Sequence, residues 1–171
     1  MLEILKNRRS IRKFTEEKVS KEDLNKILKA GLFAPSSMGK NPVEMIVVED
    51  KKTISKLETC KKHGTLPLKT APLIIAITAD SELSDVWVED ASIVSILIQL
   101  EVEKLGLGST WIQMRKRESL EKDSEEAVRE VLHIPEKYGV LSLVAIGHKD
   151  EEKKPYDDSH LNFDKVHYEK F

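Results

Sequence analysis

The sequence predicts a mixed helix-and-strand protein built on one buried sheet, and three observations carry that expectation. Short apolar, β-branched runs at 45–48, 72–78 and 140–146 alternate with longer stretches of helical period. At 171 residues the chain fits a single domain, 1–171, long enough to bury a sizeable core without staples. Glycine and proline are sparse, with 7 and 6 residues, as in ordered globular domains. The alternation of helices and strands, taken alone, favours a parallel sheet with helical crossovers.

A short helix at 2–6 opens the chain and runs into Arg8-Arg9-Ser10-Ile11-Arg12-Lys13-Phe14. In extended backbone Ile11 and Phe14 can bury one edge while the arginines and Ser10 remain free to grip a phosphate. The plainer alternative is a solvated basic helix end. Ser20 then caps a helix whose inner face is Leu24, Ile27, Leu28, Gly31 and Leu32, with Asp23 at the capping-box position and Pro35 beyond its end. The segment from Ala34 to Pro42 is a polar, turn-rich loop.

The strand at 45–48 leads into a surface helix at 51–60 with Ile54 and Leu57 inward, then a basic irregular connection at 61–69. After the second strand, a long helix at 85–105 closes at Gly106, a left-handed cap. Its middle, 91–100, is apolar nearly all round, which calls for burial on every side and favours a dimer. Residues 107–114 read as a strand, Asp123 or Ser124 caps a helix carrying Ala127, Val128, Val131 and Leu132, and Pro135 ends it. The last strand, 140–146, runs into Gly147-His148-Lys149. The polar end carries Tyr156, Phe163, Tyr168 and Phe171, too many aromatics for a disordered tail, and reads as an arm docked on its own domain or on a partner.

Composition excludes several functions. A net charge of −2 and a pI near 6.2 provide no field for a polyanion, so nucleic acid would rest on one local cluster. Cys60, the only cysteine, excludes a disulfide framework and a Cys-rich zinc site; it reads as a part-buried helix residue, with His63 its only local base. The apolar run 93–100 is broken by Ser95 and Gln99, far short of the ~20 residues that span a bilayer. No signal-peptide pattern opens the chain, so a cytoplasmic location is expected. Serine-hydrolase, Walker and Rossmann fingerprints are missing, and the five histidines show no metal spacing. The carboxylate pairs Glu16-Glu17, Glu89-Asp90 and Glu125-Glu126 read as solvated groups or helix-dipole partners.

Four segments remain: the arginine cluster, Ala34-Pro35-Ser36-Ser37, Gly106-Leu107-Gly108-Ser109-Thr110-Trp111, and Ile134-Pro135-Glu136 followed by Val144-Ala145-Ile146-Gly147. In order and spacing the chain resembles, over nearly its whole length, the nitroreductase-like FMN-dependent oxidoreductases. The resemblance implies an α+β fold with helices around a mostly antiparallel sheet. It also implies a homodimer with FMN in the subunit interface and a C-terminal arm, about 155–171, crossing the partner.

Carried over by position, Arg8, Arg9, Ser10 and Arg12 hold the FMN phosphate and ribityl or ring oxygens. Pro35, Ser36 and Ser37 line the flavin from the other subunit, Trp111, Ile112, Gln113 and Gly147 edge the pocket, and Lys149 and Lys153 add charge. Gly39, Asn41 and Val43 depart from the family pattern, which leaves Asn41 as the substitute donor to the ring edge. The short chain lacks a long lid, and an open site follows. The implied activity is hydride transfer from NADH or NADPH through FMN to an electron-poor small molecule such as a nitroaromatic or quinone, with no catalytic side chain and no metal. Flavin storage or sensing without turnover, a specialised member of the superfamily with another substrate, and a nucleic-acid interaction domain are the alternatives.

Overall fold

The apolar runs pair into a single antiparallel sheet: β1 (Val43–Val48), β2 (Leu73–Asp80), β3 (Gly108–Gln113) and β4 (Tyr138–Gly147) lie in the order β1-β2-β4-β3. All 171 residues are described by this computed structural model. The α+β architecture implied by the resemblance is present, and the parallel sheet suggested by alternation is not. A helix between two strands does not fix their relative direction. Here α3 (Lys51–Thr59) and the turn Leu66–Lys69 return the chain beside β1 in the opposite sense, and α5 (Ser124–Leu132) does the same between β3 and β4.

Because side chains alternate across a strand, β2 feeds two cores. Ile74 and Ala76 meet Ile54, Leu57 and Val128 of α3 and α5 on one face, and Leu73, Ile75 and Ile77 meet Ile27, Val94 and Ile98 of α2 (Lys21–Leu32) and α4 (Trp87–Lys104) on the other. Each of the fully buried isoleucines contributes about 1.5–3 kcal/mol. Leu32, expected inward, is exposed instead, at the last residue of α2.

Capping follows the sequence closely. Ser20 accepts from the Asp23 amide, Asp50 from Thr53, and Asp123 from Glu125 and Glu126. Gly106, at φ +77°, closes α4 as expected. α5 stops earlier than Pro135 requires, because His133 already turns left-handed at φ +55° and its amide returns to the Arg129 carbonyl. Asp90 and Glu125 lie in the first turns of α4 and α5, as helix-dipole partners do, but they are not solvated: Asp90 is buried, and half-buried Glu125 accepts the Val140 amide at 2.9 Å. No helix is long and apolar enough to cross a membrane.

Candidate functional site

The arginine segment is fixed by two apolar pegs. Ile11 and Phe14, 2% and 3% exposed, sink into the core shared with α3 and α5. Between them the backbone is stitched to the sheet end: Ile11 N–H donates to Ser109 O at 3.0 Å, Thr15 N–H to His148 O at 3.0 Å, and Asp150 N–H to Lys13 O at 3.0 Å. The Phe14 amide is held by Thr70 Oγ1 at 3.2 Å.

Two glycines admit this segment. Gly108 and Gly147 face each other across β3 and β4. A Cβ on Gly108 would stand 2.9 Å from Ile11, and one on Gly147 would stand 2.7 Å from Pro72 and 3.1 Å from Phe14. Gly147, expected at the pocket edge, therefore has a packing reason of its own.

The cluster is split by the period of extended chain. Asn7, Arg9 and Ile11 line an open groove with Lys149 and Lys153, while Arg8, Ser10 and Arg12 occupy the alternate positions. In that groove the charges are already engaged. Lys149 pairs with Glu103 and Lys153 with Glu151, at 3.0 and 2.9 Å, and Arg9 donates to the Lys154 carbonyl with its guanidinium over the Tyr156 ring. The Arg12 amide donates to Glu151 at 2.5 Å, and this bond, with Lys153, holds the Glu151 carboxyl below the usual carboxylate range. Arg8 has no carboxylate partner, and the Arg12 guanidinium only a long contact to Ser10 O at 3.4 Å. These two forks, with the Ser10 hydroxyl between them, are free to take an anion.

The second group, Pro35 to Asn41, hangs on one carboxylate. Asp90, 3% exposed in the first turn of α4, accepts the Ser37 amide at 2.8 Å and the Ser84 hydroxyl at 3.1 Å. Beyond this anchor the loop closes on itself: Asn41 N–H donates to Ser36 Oγ at 2.8 Å, Ser36 Oγ donates to Asn41 Oδ1 at 3.1 Å, and Asn41 Nδ2 donates to Gly39 O at 3.1 Å. Met38, Gly39 and Asn41 all adopt positive φ. Asn41, expected to reach a ring, spends its amide inside the loop. Asp90 was not identifiable from sequence, since nothing local distinguishes it from Glu89 beside it.

β3 supplies the third group. Trp111 Nε1–H donates to Gln113 Oε1 at 2.8 Å, and Gln113 Nε2 to Arg115 O at 3.0 Å, leaving both side chains half-buried and rigid. Ile112 points to the opposite face and is 2% exposed, so only its backbone can reach a ligand. As β3 is the last strand, its outward N–H and C=O groups beyond the Ser10 bridge meet no further strand.

In one chain the arginine segment and the Pro35–Asn41 loop do not converge. Asp90 holds the Ser37 loop at the start of α4, and Ser109, which holds the arginine segment, follows the helix end. From Asp90 to Lys104 the helix rises about 21 Å, with its body between the two. Cys60 stands apart from all three: burial pushes its thiol up to about 11, and Sγ lies 3.4 Å from Lys56 O.

Comparison with known proteins agrees with this architecture. The profile of the Nitroreductase family matches residues 5–64 and 59–148. A solved FMN-dependent nitroreductase from Clostridium difficile R20291 superposes with a TM-score of 0.98 at 50% identity, covering 100% of both chains. A relative from Archaeoglobus fulgidus, provisionally named an NADH dehydrogenase/NAD(P)H nitroreductase, is 38% identical over 175 residues, 99% of this chain and 98% of its own. An FMN reductase [NAD(P)H] from Bacillus subtilis is 26% identical over 198 residues, covering 97% of this chain and 76% of its own. With the family profile matched over most of its length and 50% identity to a solved member, the chain belongs to the nitroreductase family.

Proposed function

We propose that the protein is a homodimeric, FMN-dependent oxidoreductase that takes hydride from NADH or NADPH and delivers it to an electron-poor acceptor such as a nitroaromatic or quinone. The observation that carries the reading is the separation of the two loops by the length of α4, because a site using both needs a second copy of the chain. The names of the relatives supply the cofactor and the reductant.

The residues fit the group. Arg8 and Arg12 would hold the phosphate through charge-assisted bonds, with Ser10 donating to the same oxygens. The outward backbone edge of β3 would meet the ring, and Pro35, Ser36 and Ser37 of a second copy would close over it. FMN, when bound, supplies two-electron chemistry that no side chain here provides. The chain contributes alignment, cations and exclusion of water.

Exposed apolar groups support the dimer. Ile93 and Ile96 on α4 are 36% and 38% exposed, and Leu161, Phe163, Tyr168 and Phe171 of the C-terminal segment are bare. That segment is tied to its own domain near its start, through Tyr156 N–H to Lys6 O, the Arg9 guanidinium over the Tyr156 ring and the Lys6–Asp158 ion pair. A cytoplasmic location suits a lone unpaired thiol.

The test is anaerobic NADPH added to the FMN-loaded protein. Bleaching of the flavin band is expected, and a protein that takes up no FMN overturns the reading. Flavin that binds but is reduced by neither nicotinamide points instead to storage or sensing.

A further inference from the structure

A second concentration of positive charge lies where the expected site does not reach. Lys61, Lys62 and His63 follow α3, and Lys116, Arg117 and Glu118 follow β3; together they line an open pocket of about 530 Å³. Two left-handed turns bend the connections toward each other, Gly64 at φ +84° and Lys116 at φ +57°. Lys62 N–H donates to Glu118 O at 2.9 Å and its ammonium pairs with the Glu118 carboxylate at 3.0 Å, which ties the two loops together.

Of the four permanent cations only Lys62 has a carboxylate. Arg117 spends one donor on the Lys116 carbonyl at 2.8 Å, and its remaining donors have no protein acceptor. Lys61 is half-buried, and burial together with the Arg117 charge holds its ammonium below the usual lysine range. Lys61, Lys116 and Arg117 are thus gathered as like charges at an energetic cost, offset inside the protein only by the single Glu118 carboxylate that Lys62 already engages.

We propose that this pocket binds the phosphoryl or diphosphate group of a small molecule. A guanidinium fork, flexible ammonium groups and an imidazole match phosphate oxygens in number and reach. A nucleic acid is disfavoured: the pocket is a single bounded patch on a chain of net charge −2. The site is separate from the arginine segment. Ser10 lies against Ser109 at the start of β3, whereas Lys116 and Arg117 lie past its end, and six residues of strand span about 17–20 Å.

The test is calorimetric titration of the FMN-loaded protein with pyrophosphate at fixed ionic strength. Saturable binding is expected, weakened tenfold or more in a Lys61→Gln, Arg117→Gln double variant and retained in Lys61→Arg. Without ligand the double variant is expected to melt no lower than the parent, since it relieves repulsion. No saturable binding, or equal affinity in the double variant, overturns the proposal. The double variant is expected to retain FMN as the parent does, so this result stands apart from the fate of the FMN reading; loss of flavin from the double variant means that the pocket is part of the flavin site and also overturns the proposal. Two arms identify the source. Competition between pyrophosphate and NADPH, with the KM for NADPH raised at least fivefold in the double variant, assigns the pocket to the dinucleotide's phosphates. Binding without competition assigns it to a separate phosphorylated compound.

Discussion

The arginine segment and the Pro35–Asn41 loop occupy opposite ends of α4 and are held in opposite ways. The first is pinned by two buried side chains and a set of backbone bonds to the sheet. The second hangs from one buried carboxylate and otherwise satisfies itself. One wall of the proposed site is therefore preorganised by the core, while the other is a small device held to the fold at a single point. Rigid positioning suits a permanent anionic group, and a locally closed loop suits a face where substrates come and go.

The largest effect expected is at the pegs. Phe14→Ala should cost about 3–5 kcal/mol, measured by urea denaturation, and should release FMN as well. Little change in either would mean that the segment is not core-anchored. Gly147→Ala should cost about 1–3 kcal/mol, since its Cβ would meet Pro72 at 2.7 Å and the Phe14 side chain at 3.1 Å; thermal melting reads it directly. Asp90→Ala should cost about 1–3 kcal/mol, leaving the buried Ser84 hydroxyl and the Ser37 amide without their acceptor. Hydrogen exchange should rise in residues 36–41 and stay unchanged at Ile11 and Thr15. Faster exchange at both ends would collapse the distinction between them.

The smallest effect is one of pH. The Glu151 carboxyl is held down chiefly by the Arg12 amide and then by Lys153, so its contribution is complete above the ordinary glutamate value, about 4.3, and fades as pH falls through its lower folded value. Glu151→Gln should therefore lower neutral-pH stability slightly and flatten the acid limb of the stability profile, monitored by fluorescence from pH 6 to pH 3, so that variant and parent converge at the acid end.

Much of this was legible in the sequence because the signals were local. Ser20, Asp123 and Gly106 cap helices for reasons contained within a few residues, and Ile54, Leu57 and Ile27 announce their faces by period. Strand direction was not legible in the alternation of elements and came only through the family resemblance, since pairing of Val48 with Ile74, or of Gly108 with Gly147, is decided by distant chain. Which half of the arginine cluster stays free was also hidden. Arg9 is drawn away from its neighbours by Tyr156 and the Lys154 carbonyl, partners nearly the length of the chain away. Asp90 escaped for the same reason: its role is a bond to Ser37 on another element.

The facing pair Gly108 and Gly147 has a consequence for the order of events during synthesis. The arginine segment leaves the ribosome first, yet its docking surface consists of Ser109 and His148, roughly a hundred residues or more downstream. Closing so long a loop is entropically slow, and it can begin only when β4 has emerged. A nascent chain therefore carries its arginines unplaced until β4 has been made. The wall made first as polymer is the last to be set in place.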